Sequence, residues 1–202
     1  MALYLVSIIG GDTLIILMNL LVNLKTHTLS NLYIVVACLL AGVAVIALDA
    51  ISATLIRRAL PEKWFSYKIK FHKVGNAECH FYEKLGIKSW KDNVLELGMF
   101  TAFSKKHVSN PNSREYLERF ILESNYGALI HIVGVFLPLV LLTIPPFVAN
   151  VPFFTSWRFS VPAIVVNAVL NFLPFMILRY NLPRLERMRI IAEKREAREQ
   201  VA

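Results

Sequence analysis

Residues 123–131 read ESNYGALIH and lead directly into a long apolar run. This stretch carries a carboxylate, Glu123, and an imidazole, His131, to the head of a segment that can enter a membrane. An ionisable side chain is costly at a membrane segment and usually has a function there. The neighbouring sequence is arranged around this stretch, since a basic hydrophilic segment precedes it and an apolar segment containing Asn167 and Asn171 follows it.

The composition is typical of a membrane protein. Hydrophobic residues make up 56% of the 202 residues, and the mean hydropathy is +0.53. A helix needs about 20 apolar residues to cross a bilayer core of about 30 Å. Four stretches satisfy this requirement, at residues 3–24, 32–56, 128–148 and 161–178. The first lacks the basic start and the small-residue cleavage site of a signal peptide, so we expect it to be retained.

We therefore predict an all-α membrane protein that forms a single membrane-embedded domain. It has about four transmembrane helices, with a basic, aromatic-rich cytoplasmic insert (residues 57–126) between spans two and three. Thirteen of the 22 basic residues lie between residues 57 and 119, and seven lie in the tail, residues 179–202. Because basic residues concentrate on the cytoplasmic side, the insert, the tail and both termini are predicted to be cytoplasmic. Anionic lipid headgroups suffice as partners for these residues, so no nucleic-acid partner is expected.

Local signals predict several helix boundaries. Residues 81–92 indicate a short helix that is broken at Gly86. Ser113 is a good N-cap for an amphipathic helix that begins at Arg114 and runs toward the third span. After Pro183, the tail mixes Glu and Arg at helical spacing, which predicts a surface helix.

Two shorter signals concern the ends of the second span. Ser30 or Asn31 can cap its first turn. Beyond its last residue, the segment 61–65 places Trp64 where a side chain at headgroup depth is expected. Polar and apolar residues alternate over positions 68–72. This pattern fits either a short strand or a segment lying along the surface.

His131 is the candidate general base, because its ordinary pKa near 6.5 suits proton transfer at neutral pH. A packed polar contact is the structural alternative. Glu123 lies eight residues earlier, about 80° of rotation and about 12 Å of rise away, so the two side chains cannot touch within a continuous helix. Pairing of Glu123 with Arg179 or Lys91 is open at this point.

Polar residues on the other spans complete the candidate set. Asn167 and Asn171 share one helix face at i, i+4 spacing, so they either form interhelical hydrogen bonds or line a polar cleft. Asp12 and Asp49 are carboxylates inside apolar stretches, and their roles are open. The sequence contains no nucleophile elbow, phosphate-binding glycine loop, metal-ligand pair or His-x4-Asp motif. No metal site is expected.

The chain resembles the bacterial glycosyl-4,4'-diaponeurosporenoate acyltransferase family over roughly residues 81–195. The namesake of this family esterifies the glucose of a glycosylated carotenoid with a fatty acyl chain, in the last step of staphyloxanthin synthesis. The chain departs from it at the front, where two full spans precede the insert. The residues that carry the resemblance are Tyr82, Trp90-Lys91, Glu123, Leu129-Ile130-His131, Asn171 and Arg179-Tyr180-Asn181-Leu182-Pro183-Arg184-Leu185.

The resemblance implies a membrane acyltransferase in the bacterial cytoplasmic membrane, with a lipid acceptor and an acyl donor as partners. The donor would be acyl-CoA as a co-substrate, or an acyl carrier protein, and no further cofactor is expected. His131 and Glu123 would be catalytic. The implied substrate-binding residues are Asn167, Asn171, Arg179, Asn181, Trp90, Lys91 and Arg184, with Lys88 among the cations that attract the donor phosphates.

Two other classes stay open on the sequence. One is a membrane lipid reductase or methyltransferase that uses the basic rim for a nucleotide cofactor. The other is a non-catalytic membrane subunit, in which the buried polar residues only hold helices together. The acceptor, the acyl length and the oligomeric state are not specified by the sequence.

Overall fold

The computed structural model describes residues 2–26, 30–94, 108–139 and 157–200. All regular secondary structure in these ranges is helical, and they contain no strand, as the predicted all-α class requires. The α-helices are α1 (Ala2–Thr26), α2 (Asn31–Ala59), α3 (Asn76–Lys84), α4 (Ile87–Trp90), α5 (Arg114–Phe136) and α6 (Trp157–Glu199). Short 3-10 helices cover Glu62–Phe65, Lys70–His72, Lys91–Asn93 and Leu137–Leu139.

Three of these helices are long and apolar enough to cross a membrane. The segments are Ile8–Lys25 in α1, Asn31–Ala59 in α2 and Val161–Glu199 in α6. The predicted third span, residues 128–148, begins within α5, and its part beyond residue 139 lies outside the described residues. The structure thus supports membrane association, and the four-span count and the sidedness stay predictions.

The chain divides into two compact units. We call residues 1–55 and 130–172 the span unit, and residues 56–129 and 173–202 the insert unit. The core of the span unit is apolar and consists of Ile15, Ile34, Ala37, Cys38, Ala41 and Ala163. Its helices approach closely at glycines, because a Cβ at Gly11 would lie 2.6 Å from Val166 Cγ1. Small residues permit such close helix packing in membranes.

The core of the insert unit joins the first half of α5 to the last part of α6. Its buried members are Leu117, Phe120, Ile121, Leu182, Leu185 and Ala192. The described part of the insert is therefore packed against the last part of α6. Residues 95–107 of the insert lie outside the described residues.

Several local predictions are confirmed. The Ser30 hydroxyl accepts a hydrogen bond from the Tyr33 N–H at 3.2 Å, and the Ser113 hydroxyl accepts one from the Tyr116 N–H at 3.2 Å, so both serines cap their helices. Gly86 separates α3 from α4 with a φ of 71°, a conformation that glycine adopts at low cost. Residues 70–72 form a 3-10 turn, which excludes the strand alternative.

The tail is helical, as predicted, and it is continuous with the helix that contains the fourth predicted span. Helix α6 continues from the fourth predicted span through Pro183 to Glu199. Proline removes one helical N–H donor, but Leu182, Leu185 and Ala192 are buried against α5 in the insert unit. This packing offsets the lost hydrogen bond. Leu185 and Ala192 face the core, and most other side chains of the tail are exposed, as expected of a surface helix.

Candidate active site

A chain of polar side chains runs through the span unit. His131 on α5 and Asn171 on α6 meet with 3.1 Å between His131 Nδ1 and Asn171 Oδ1. The Asn171 amide Nδ2 donates to Asp49 Oδ2 on α2 at 3.1 Å, and it also lies 3.2 Å from Asn167 Oδ1. Asn167 in turn donates from Nδ2 to the Gly134 carbonyl at 2.7 Å. One network therefore links three helices.

Glycine at position 134 makes this approach possible. A Cβ at Gly134 would lie 2.6 Å from Asn171 Oδ1, closer than real Cβ atoms come to any neighbour. Asn167 and Asn171 are both buried. Buried amides must be satisfied inside the protein, and here each amide nitrogen of the pair has an acceptor within hydrogen-bond distance.

The direction of these hydrogen bonds defines the chemistry of the imidazole. The Asn171 Nδ2 donates to Asp49 Oδ2, which leaves the amide Oδ1 facing His131 Nδ1. The amide oxygen accepts from His131 Nδ1–H. In a neutral imidazole with this tautomer, the basic lone pair is on Nε2. In many enzymes a second group orients the general base, and a third group orients the second. This arrangement activates hydroxyl nucleophiles.

A cleft of about 50 Å³ lies in the span unit beside this network. Its walls are mostly apolar and come from α1, α2 and α6. Two polar residues, Asp12 and Asn167, contribute to its lining, and the Asp12 carboxylate packs closely over Gly42. Asn167 therefore belongs both to the cleft and to the hydrogen-bond network.

Glu123 has a different environment in the insert unit. Its carboxylate is 4% exposed and forms two ion pairs, to Arg57 Nη2 at 2.7 Å and to Arg119 Nη2 at 2.9 Å. These partners differ from Arg179 and Lys91, which the sequence suggested.

The residues after Glu123 attach α5 to the segment that follows α2. Asn125 Nδ2 donates to the Phe65 carbonyl at 2.8 Å, and the Tyr126 hydroxyl donates to the Leu60 carbonyl at 2.8 Å. The Phe65 and Tyr126 rings stack with centroids 3.8 Å apart. Within the insert unit, the polar part of the ESNY stretch thus serves as an anchor.

Arg179 forms a second cluster in the insert unit. Its guanidinium makes a bidentate pair with Glu78, from Nε at 2.8 Å and from Nη2 at 2.7 Å, and Nη1 donates to the His72 carbonyl at 3.0 Å. The Tyr82 hydroxyl also donates to Glu78 at 2.7 Å. Burial raises the pKa of Glu78, but the hydrogen bonds from Arg179 and Tyr82 outweigh it, so the pKa lies below its ordinary value.

The remaining predicted binding residues lie nearby in the same unit. Trp90 Nε1 donates to the Leu85 carbonyl at 3.0 Å, and Lys91 Nζ lies 5.7 Å from the centre of the Tyr180 ring. Asn181 is half-buried on α6, and Arg184 is exposed. Among the described residues, no group of three or more His, Cys, Asp or Glu side chains could hold a metal ion.

Comparison with protein families identifies the chain. A family model described as glycosyl-4,4'-diaponeurosporenoate acyltransferase matches residues 61–190, well over half of the sequence. The chain belongs to this family. The family name denotes an acyltransferase of carotenoid biosynthesis, and the resemblance predicted from the sequence is confirmed. Comparisons with curated proteins and with solved structures gave no match.

For this member of the glycosyl-4,4'-diaponeurosporenoate acyltransferase family, the predicted site residues fall into separate groups. His131, Asn167 and Asn171 are brought together in the span unit. Glu123 and Arg179 each centre a cluster of their own in the insert unit.

Sequence reasoning left Asp49 without a role and did not single out Glu78. Asp49 carried a usable signal, a carboxylate inside an apolar stretch. Glu78 carried only its i, i+4 spacing to Tyr82.

Proposed function

We propose that this protein is a membrane acyltransferase that moves a fatty acyl chain to a hydroxyl of a glycosylated lipid, such as a glycosyl carotenoid. The donor is a thioester, acyl-CoA or an acyl carrier protein. The observation that carries the proposal is the His131–Asn171–Asp49 hydrogen-bond chain, found in a member of an acyltransferase family. Ester formation needs a base for the acceptor hydroxyl, and this chain supplies an oriented imidazole.

In the proposed reaction, His131 Nε2 takes the proton of the acceptor hydroxyl as its oxygen attacks the thioester carbonyl. The C–S bond then breaks, and the imidazolium returns the proton to the leaving thiolate. Asp49 Oδ2 accepts from Asn171 Nδ2 and so keeps Asn171 Oδ1 facing the His131 Nδ1, which favours the tautomer required for the first step. Asn167 ties Asn171 to the α5 backbone at Gly134, so the geometry is fixed before substrate binds.

The insert supplies the charge for donor binding in this proposal. Its thirteen basic and eight acidic residues give a net charge of +5, which attracts the phosphates of CoA or an acidic carrier protein. Arg179 is bound bidentately by Glu78, so we assign it to holding the insert together. The exposed Arg184 and the half-buried Lys91 are better placed to meet a phosphate, as is Lys88, whose ion pair with Glu83 lies at the surface.

Glu123 is assigned an anchoring role. A general base needs an oxygen that can approach the substrate proton, and each carboxylate oxygen of Glu123 is within 3 Å of a guanidinium nitrogen. An ion pair of this kind favours the ionised carboxylate and holds it in place. His131 is therefore the base in the proposed reaction.

The test is acyl transfer by the purified protein in lipid vesicles. We expect labelled acyl groups to pass from acyl-CoA or acyl carrier protein to a glycosylated lipid, and the product to release fatty acid on mild alkaline hydrolysis. Lipids extracted from cells with and without the gene provide a second readout. A saturated-to-unsaturated shift would indicate a reductase, methylated lipid a methyltransferase, and unchanged lipid a non-catalytic subunit, and each would contradict the proposal.

A further inference from the structure

The segment 61–73 of the insert unit exposes three large apolar side chains within 13 residues. Trp64 is 53% exposed, Ile69 is 37% exposed and Phe71 is 84% exposed. Single exposed apolar residues are common on proteins, but a group that includes two aromatic rings marks an interaction surface. We call this segment the 61–73 platform.

The platform is held in a defined shape. Phe65, at 2% exposure, points inward and stacks on Tyr126. His72 Nε2 lies 2.7 Å from the Trp64 carbonyl oxygen, so the chain folds back and brings its two ends together. Arg179 Nη1 donates to the His72 carbonyl and fixes the far end. Because the backbone is fixed by these contacts, the exposed rings are presented by a rigid support.

The same segment is strongly basic. It contains the exposed lysines Lys63, Lys68, Lys70 and Lys73, against one acidic residue, Glu62. Four cations interleaved with Trp64, Ile69 and Phe71 form a surface that is both apolar and positive. Such a surface is complementary to anionic phospholipid, whose phosphates attract lysine while aromatic rings enter the interfacial region.

Chain continuity places the platform at a membrane surface. The candidate span in α2 ends at Ala59, and Trp64 follows five residues later. Five residues reach at most about 18 Å, so Trp64 lies close to the end of the span. The basic pair Arg57 and Arg58 at the end of α2 marks the same side of the membrane.

We propose that the 61–73 platform lies on the surface of the bilayer and binds anionic phospholipid. Trp64, Ile69 and Phe71 enter the headgroup region, and the four lysines contact phosphates. Each lysine near an anionic surface contributes about fivefold to partitioning. This inference concerns lipid contact by the insert and does not depend on the proposed acyl transfer.

The test measures the depth of Trp64 in vesicles of the full-length protein. A Trp90→Phe/Trp157→Phe variant keeps Trp64 as its one tryptophan. In vesicles whose phospholipids carry bromine on the acyl chains, we expect Trp64 fluorescence to be quenched by about half or more. The quenching should be stronger with phosphatidylglycerol than with phosphatidylcholine, and high salt should reduce this difference. Emission typical of an indole in water, unquenched in both vesicle types, would overturn the proposal.

A matched pair of charge variants tests whether the preference for phosphatidylglycerol comes from the platform or from the overall charge of the protein. On the same background, Lys68→Gln/Lys70→Gln/Lys73→Gln should abolish the preference for phosphatidylglycerol. The control Lys84→Gln/Lys194→Gln/Arg198→Gln removes the same charge from exposed positions elsewhere in the described chain. This control should preserve the preference for phosphatidylglycerol. Equal effects of the two variants would contradict the assignment. If Trp64 became shielded from water only on addition of an acidic acyl carrier protein, the lipid proposal would be overturned in favour of a protein-docking surface.

Discussion

Glu123→Gln tests whether the buried carboxylate of the insert unit is an anchor. Removing one partner of a fully buried ion pair costs about 3–5 kcal/mol, and exposed pairs contribute about 0.2–1 kcal/mol. The Glu123 carboxylate is 4% exposed, but the Arg57 and Arg119 side chains are 34% and 53% exposed, so both guanidiniums regain water in the variant. We therefore expect the free energy of unfolding to fall by about 2 kcal/mol.

The readout is thermal unfolding of the purified protein, with acyl transfer measured on the same samples. For a chain of this length, 1 kcal/mol corresponds to about 2–4 °C, so the apparent Tm should fall by about 4–8 °C. Arg119→Gln is the matched control and should cost less, about 1 kcal/mol, because Arg119 is half-exposed and Glu123 keeps its ion pair with Arg57. Turnover per folded molecule should stay near the wild-type value. An unchanged Tm together with lost turnover would refute the anchoring role and indicate a catalytic role for Glu123.

Three further predictions concern the other clusters. Arg179→Lys should lower the free energy of unfolding by about 1–2 kcal/mol in a denaturant titration, since an ammonium cannot reproduce the bidentate contact with Glu78; wild-type stability would contradict this assignment. The folded-state pKa of Glu78 lies below its ordinary 4.5, so its stabilisation is complete above that pH and is lost as the pH falls through the folded-state pKa. Tm measured against pH should therefore fall less steeply in acid for Glu78→Gln than for wild type, and an identical slope would count against the pair. Asp49→Asn should reduce turnover on the order of 100-fold through misorientation of Asn171, and it should shift the pH–rate profile. Unchanged turnover would show that the proposed reaction does not need Asp49.

Local features of the fold were accessible from the sequence because neighbouring residues determine them. Ser30 and Ser113 cap helices since a hydroxyl before the first turn can accept from a free N–H. Gly86 breaks the helix because it tolerates a positive φ. The tail helix was predicted from its Glu and Arg spacing, but the continuity of α6 through Pro183 depends on tertiary packing, which local rules do not give.

The partners within the candidate site were less accessible. His131, Asn167 and Asn171 were identified as polar residues of apolar helices, but the link from Asn171 to Asp49 joins residues 122 positions apart. The pair between Arg179 and Glu78 spans 101 positions. No local rule connects such residues, because helix packing alone determines which polar groups meet. The sequence could thus predict which residues need partners, and only the fold shows which partners they have.

The central claim is that His131 is the general base, and the most direct measurement is the turnover of His131→Gln per folded molecule in the vesicle acyl-transfer assay. Glutamine can still form a hydrogen bond but cannot take the proton of the acceptor. We expect turnover to fall by about 10²–10⁴-fold, the usual contribution of general-base catalysis. His80→Gln, at an exposed histidine on α3, should keep wild-type turnover. Near-normal turnover of folded His131→Gln would contradict the account.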